Sequence, residues 1–206
     1  MGGLVEQRRV EPRDDLMSAL IAARADNVDR LTELELVDLC VGVLVAGHET
    51  TATQIPNFVH VLLAHPERFA ELVAEPAKAP EVVEELLRFV PLGAGAAFSR
   101  YATEDVEVGG VLVRAGEPVL VSVGSANHDG GRFPDPDELK FDRTETSHLG
   151  FGHGVHHCLG APLARLELQE ALRVLAVRLP GLREAAEPEW KTQMLVRGPR
   201  RMMVDW

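Results

Sequence analysis

Only two of the 206 residues are cysteine, one is tyrosine, and aromatic residues make up 5% of the chain. Two cysteines, Cys40 and Cys158, cannot form the disulfide framework that staples small secreted domains, so aliphatic packing must build the core. Basic side chains are also the minority. The 21 Lys and Arg against 32 Asp and Glu leave a formal charge of −11, which argues against a surface made to neutralise phosphates and against nucleic acid as a partner. No apolar run reaches the ~20 residues of a membrane span. The most apolar stretch, Leu36 to Val45, soon meets Gly47, His48, Glu49, Thr50 and Thr51. The N-terminus carries no apolar signal-peptide segment, and Glu6 stands where a myristoylation motif needs Ser or Thr. These absences predict a soluble, cytoplasmic chain with no membrane partner.

What is present suits a globular protein: 46% of the residues are hydrophobic and 26% charged, more apolar than disordered chains. At roughly 150 residues per domain, the length allows one sizeable core and little more. Leu16, Leu20 and Ile21 lie at helical spacing and predict a short helix from about Pro12 to Ala25. Thr32 and Glu35 form a capping-box pair that announces a second helix, apolar around most of its circumference and so expected in the middle of the fold. Its periodicity resumes through Ile55, Phe58, Val59, Leu62 and Leu63, with Pro56 able to kink it.

First-turn prolines, Pro66 and Pro80, open helices over about 66–74 and 80–90. The period then changes to two. Val106, Val108, Val111, Val113, Val119, Val121 and Val123 alternate with other residues around a Gly109–Gly110 turn and predict a small antiparallel sheet. From Ala126 to His157 the chain is rich in Gly, Pro, Asp and His without a clear period, a loop length usually tied to function. A last helix carries Leu168, Leu172, Leu175 and Leu179, and a terminal hairpin is expected from Met194–Val196 and Met202–Val204 around Gly198 and Pro199.

The strongest chemical signal is the run FGHGVHHCLG, Phe151 to Gly160, directly before that last helix. It places Cys158 at a helix start, where unpaired N–H groups and the dipole favour negative charge, while the glycines admit close approach to the backbone. Three roles suit such a sulfur: a nucleophile beside His156 or His157, a zinc ligand with His153 and His157, or the axial ligand of a haem. Zinc needs about four ligands, and no second cluster appears at finger-like spacing.

The segment resembles the cysteine loop of the cytochromes P-450, the haem-thiolate monooxygenases, with Phe151, Gly154, His156, Cys158 and Gly160 in family spacing. The resemblance implies haem b (iron protoporphyrin IX) with its iron ligated by Cys158, flanked by Phe151, Gly152 and Gly160, and a propionate bonded by His156. Ala46, Gly47, Glu49 and Thr50 resemble the family's acid and alcohol pair over the oxygen-binding face. Glu49 and Thr50 are then the catalytic proton relay, with Ala46 and Gly47 beside the cofactor. Glu85 and Arg88 resemble the family's glutamate and arginine pair, which joins Arg143 in a structural ion cluster. Arg100 resembles the arginine that meets the other propionate. The run Gly93 to Ala97, with Met194 and Leu195, would border the substrate.

The implied fold class is mainly α (α+β), a long central helix and a cysteine-ligand helix around haem with a small antiparallel β region. The expected extent is the C-terminal half of the family fold, residues 1–206 forming one part of a domain whose N-terminal half is absent and whose resemblance starts near residue 12. The implied function is insertion of one oxygen atom of O2 into a small organic substrate, with electrons from a ferredoxin-type redox partner. Arg165, Arg173 and Arg178 form a candidate docking stripe, and a separate N-terminal half is a candidate partner. A haem-binding module without oxygen chemistry and a truncated, inactive fragment are the alternative readings. Without the missing elements, Leu39 to Val45 would be exposed along one face.

Overall fold

Thr32 and Glu35 close their capping box: the Thr32 N–H donates to Glu35 Oε2 at 2.7 Å and the Glu35 N–H to Thr32 Oγ1 at 3.2 Å. Two donors that a helix start leaves without partners are thereby satisfied. In this computed structural model, which describes residues 1–25, 31–93 and 99–206, they begin a helix of 32 residues, Glu33–Ala64, preceded by helices Gly2–Val10 and Leu16–Ala25. In chain order these are α1 (Gly2–Val10), α2 (Leu16–Ala25) and α3 (Glu33–Ala64). Pro56 is accommodated inside α3. The single helix expected near the N-terminus is two. α1 buries only Val5, so it carries no apolar period by which to be seen.

The described chain divides into two compact units, Met1–Glu49 and Thr50–Trp206. In the first, Val5, Leu36 and Cys40 are buried with Met17, Leu20, Ile21 and Val37 packed around them. Leu39, Val41, Val43, Leu44 and Val45 are exposed, so this most apolar stretch of α3 is not the middle of the core.

The larger unit holds the second part of α3 with α4 (Pro66–Ala74), α5 (Ala79–Phe89), α6 (Val123–Asn127) and α7 (Ala161–Arg178). Pro66 and Pro80 sit in first turns, where a missing N–H breaks no helical bond. Phe58, Leu62, Leu72, Val82, Leu86, Leu168 and Leu172 form its core, and full burial of each such side chain contributes about 1.5–3 kcal/mol. α5 packs against α7, which brings residues 84–88 beneath the loop that precedes α7. No helix among the described residues is long and apolar enough to cross a membrane.

The single small β region expected is instead four separate antiparallel pairs among the described residues. β1 (Arg100–Tyr101) pairs with β4 (Pro118–Val119), and β2 (Val106–Val108) with β3 (Val111–Val113). β5 (Arg183–Glu184) pairs with β8 (Val204–Asp205), and β6 (Glu189–Trp190) with β7 (Pro199–Arg201). Gly109 and Gly110, both at positive φ, make the expected hairpin turn. The alternation does not continue as strand through Val123, because Ser122 caps α6 by accepting the Ser125 N–H at 3.4 Å.

The expected terminal hairpin around Gly198 also differs. Val196 bridges to Gly93, the Arg197 N–H donates to Leu92 O at 2.7 Å, and Asn57 Nδ2 donates to Arg197 O at 2.8 Å. A Cβ on Gly198 would lie 2.2 Å from Thr53 Cγ2, so glycine lets this segment lie close against α3 while its carbonyl accepts the Lys191 N–H at 3.0 Å and Pro199–Arg201 pairs with Glu189–Trp190.

Candidate functional site

Glycines shape the cysteine loop. Gly152 and Gly154 both have φ of +73°, a region closed to most side chains, and between them the chain turns into a short 3-10 segment, Gly154–His156. The Cys158 N–H donates to Phe151 O at 2.9 Å and closes the loop. Gly160 caps α7 without a side chain and Pro162 occupies its first turn, so the positive end of α7 lies next to Cys158.

Cys158 is exposed, while Cys40 is buried. Val155 and Leu159 beside it are 98% and 92% exposed, an uncovered apolar surface around a soft sulfur donor. That surface fits a broad apolar ring carrying a metal. Zinc has no comparable set: no three His, Cys, Asp or Glu side chains gather at metal-binding spacing among the described residues. His153, His156 and His157 are exposed on the same loop.

Beneath the loop, Arg88 grips Glu85 with two hydrogen bonds of 2.8 Å, and Arg143 Nε reaches Glu85 Oε1 at 2.9 Å. Arg88 Nη1 also donates to the carbonyls of Asn127 and Pro136, and Arg143 Nη2 to those of Asp135 and Glu138. The side chains of Glu85, Arg88 and Arg143 are almost fully buried. The structure therefore brings these three together, and through them fastens residues 127–143 to α5.

A second cluster lies one residue away. Glu84 accepts Arg165 Nε at 2.6 Å, Arg165 Nη2 at 3.1 Å and His148 Nε2 at 3.2 Å. Arg165 is thus turned onto Glu84, and Arg173 is held by Glu170 at 2.7 Å. Two of the three cations of the expected docking stripe are already paired.

On α3, Ala46 and Gly47 are exposed and Glu49 and Thr50 half-buried. Glu49 closes the first unit and Thr50 opens the second. Arg100 is exposed on β1 opposite Val119. Met194 and Leu195 are exposed; of the small-residue run, Gly93 is bridged to Val196, and Ala94 to Ala97 lie outside the described residues.

The family model for cytochrome P-450 matches residues 5–178. The chain belongs to the cytochrome P-450 family. It is 56% identical to the mycinamicin IV hydroxylase/epoxidase of Micromonospora griseorubida and 56% identical to the nocardicin C N-oxygenase of Nocardia uniformis subsp. tsuyamanensis, each over 100% of this chain and 52% of the relative. The solved mixed-function P-450 MycG superposes with a TM-score of 0.93 at 56% identity, covering 100% of this chain and 53% of that one. The LnmA P-450 hydroxylase of the leinamycin pathway of Streptomyces atroolivaceus gives 0.92 at 50% identity, with the same coverage. The chain spans about half the length of the curated relatives it matches.

These P-450 matches correct the expected extent and fold class. The likeness was limited to a C-terminal half-fold, starting near residue 12; it covers 100% of the chain in these relatives, and the family model begins at residue 5. α1, α2 and the small strand pairs belong to the P-450 likeness as fully as the cysteine loop does. The motifs that carry the resemblance lie at 46–51, 85–88 and 151–160, with none in α1 or α2, so a motif reading starts the likeness too late.

Glu84, His148 and Asn127 escaped sequence reasoning. Glu84 precedes the motif glutamate, and His148 and Asn127 sit in an aperiodic loop; no spacing marks them. Burial pushes the Glu84 carboxyl up, but the hydrogen bonds from His148 and Arg165 and the Arg165 charge outweigh it and hold the group at about 2. A depressed folded pKa adds stability above the unfolded value of about 4.3 and loses it as pH falls toward the folded one. Glu84→Gln is therefore expected to lower the urea midpoint at neutral pH, with the gap to the unaltered chain closing between about pH 4 and pH 2. A gap that stays constant over that window would refute the assignment.

Proposed function

We propose that the chain serves haem-thiolate monooxygenation, the insertion of one atom of O2 into a small organic substrate with electrons from a redox partner. The observation that carries this reading is the exposed Cys158 sulfur on a glycine-shaped turn at the start of α7, in a chain of the P-450 family. Haem b is the cofactor and Cys158 its iron ligand. When bound, haem supplies the dioxygen and one-electron chemistry that side chains lack.

By likeness to the family, cofactor-binding roles also fall to Ala46, Gly47, Phe151, Gly152 and Gly160, with His156 and Arg100 bonding the propionates. Glu49 and Thr50, successive on α3, move protons: the carboxyl takes them up and the hydroxyl passes them on, as general acids in relay. Glu85, Arg88 and Arg143 are positioning residues that hold the chain leading into the cysteine loop. The names of the two curated relatives, a hydroxylase/epoxidase and an N-oxygenase, support oxygenation of a small organic molecule. A ferredoxin-type protein is the proposed electron donor, in a cytoplasmic setting.

The first test is the carbon monoxide spectrum of the reduced, haem-loaded chain. A thiolate-type band is expected, and a purely imidazole-type band from folded protein would overturn the reading. Thr50→Ala is then expected to keep that band while several-fold more of the reducing equivalents emerge as hydrogen peroxide, because the step that the relay assists loses a contribution of about 10²-fold or more. Unchanged coupling would remove Thr50 from the relay.

A further inference from the structure

His148 lies ten residues before Cys158, and its side chain is 2% exposed. Its two ring nitrogens have different partners. The Gly150 N–H donates to Nδ1 at 3.0 Å, so Nδ1 is an acceptor and the proton sits on Nε2, which donates to Glu84 Oε2 at 3.2 Å. Gly150 has no room to be anything else: a Cβ there would lie 2.9 Å from Leu87 O and 3.0 Å from His148 Nδ1. Glu84 in turn holds Arg165 through two hydrogen bonds, and the Arg165 guanidinium lies 4.6 Å from the Phe151 ring centre. The His148 ring is 6.2 Å from that same ring. Phe151 is therefore flanked by two of the three members of the cluster, Arg165 and His148, and its carbonyl accepts the Cys158 N–H.

Arg165 from α7 and His148 from the loop thus both contact Phe151, whose carbonyl closes the cysteine turn, and Glu84 on α5 ties the two together. The neighbouring Leu149 N–H is fixed by Asn127 Oδ1 at 2.8 Å, so the strand of chain entering the turn is held on both sides of Gly150. Such a brace does more than add stability, because a planar bidentate pair stacked on an aromatic ring specifies orientation as well as energy.

We infer that His148, Glu84 and Arg165 form a brace that positions Phe151 and, through the Phe151 carbonyl, fixes the direction of the Cys158 sulfur. The inference rests on the proposed role of Cys158 as the iron ligand. These are positioning residues: they act on the sulfur through Phe151 and touch no substrate.

The experiment compares Arg165→Lys, which keeps the charge but loses the planar two-point grip, with His148→Gln, which keeps one amide donor and loses the ring. Two readouts apply to the full chain. Amide hydrogen exchange in the haem-free protein is expected to accelerate at the Cys158 N–H by about tenfold or more while amides of α5 and α7 are unchanged. After haem loading, part of the carbon monoxide band is expected to move from thiolate type to thiol type. Cys158 exchange that is unaltered in both variants, or that rises only in step with α5 and α7, would overturn the brace. If the unaltered chain itself shows no thiolate-type band, the ligand reading fails instead, and the exchange comparison still decides whether the brace orders the turn.

Discussion

Replacing Arg88 by alanine is expected to remove up to about 3 kcal/mol from the stability of the larger unit, because it takes from a buried carboxylate its two-point partner and leaves it to Arg143. Arg88 is the largest fully buried side chain among the described residues, and its side chain and that of Glu85 are 1% and 4% exposed. Taking such a pair out of water is expensive, and it persists only because each remaining donor finds an acceptor. Here every nitrogen of the guanidinium is used: two bonds to Glu85, and others to the carbonyls of Asn127, Pro136 and Glu138. Alanine leaves Glu85 facing only Arg143 and the Lys140 N–H, and takes the Arg88 donor from the Asn127 and Pro136 carbonyls, while that of Glu138 keeps Arg143. Against a typical domain stability of about 5–15 kcal/mol, that is a large fraction. Urea unfolding is the measurement. A midpoint within error of the unaltered chain would show that the cluster is not needed to hold the fold. Arg88→Lys should recover only part of the loss, since an ammonium cannot reproduce the two-point grip.

Where the sequence was legible, a local rule and the packing agreed. The Thr32–Glu35 box, the first-turn prolines and the apolar period of Phe58, Val59 and Leu62 each point to the element that forms. Illegible parts depend on contacts far apart in the chain. Gly198 reads as a turn residue, yet it is glycine because Thr53, some 145 positions earlier by the sequence numbering, comes too close for a Cβ. α1 has only Leu4, Val5 and Val10 as large apolar residues between glycines and charges, too few to mark a helical period.

The site shows the same division. Cys158, Glu85 and Arg88 announce themselves by spacing, since a short motif can encode a turn or one helical step. Glu84, Asn127 and His148 do not, because what selects them is a partner 64 residues away for His148 and 22 residues away for Asn127. The charge of Arg165 suggests a docking surface; its half-buried side chain also makes two bonds to Glu84 and lies over Phe151. A charge pattern along a helix reveals the sign of a side chain and not the direction in which it is used.

The largest functional effect is expected from Cys158→Ser, which should abolish the thiolate-type carbon monoxide band of the reduced, haem-loaded chain. A serine hydroxyl stays protonated near neutral pH and is a hard donor, so it supplies neither the charge nor the softness of a thiolate. The substitution is a clean one for the fold. Cys158 is exposed and its backbone N–H, not its sulfur, closes the turn; surface changes of this kind usually stay within about 0.5 kcal/mol. Stability and ligation are therefore separable in one variant: the urea midpoint is expected to hold while the band disappears. His153, His156 and His157 lie on the same exposed loop, so any haem that still binds should carry an imidazole-type or hydroxyl-type spectrum. Cys40→Ala is the companion control, since Cys40 is buried against Val5 and Leu36 in the first unit; it is expected to leave the band in place. A serine variant that keeps the thiolate-type band would mean that the iron ligand is elsewhere, and the cofactor roles assigned to Phe151 and His156 would fall with it.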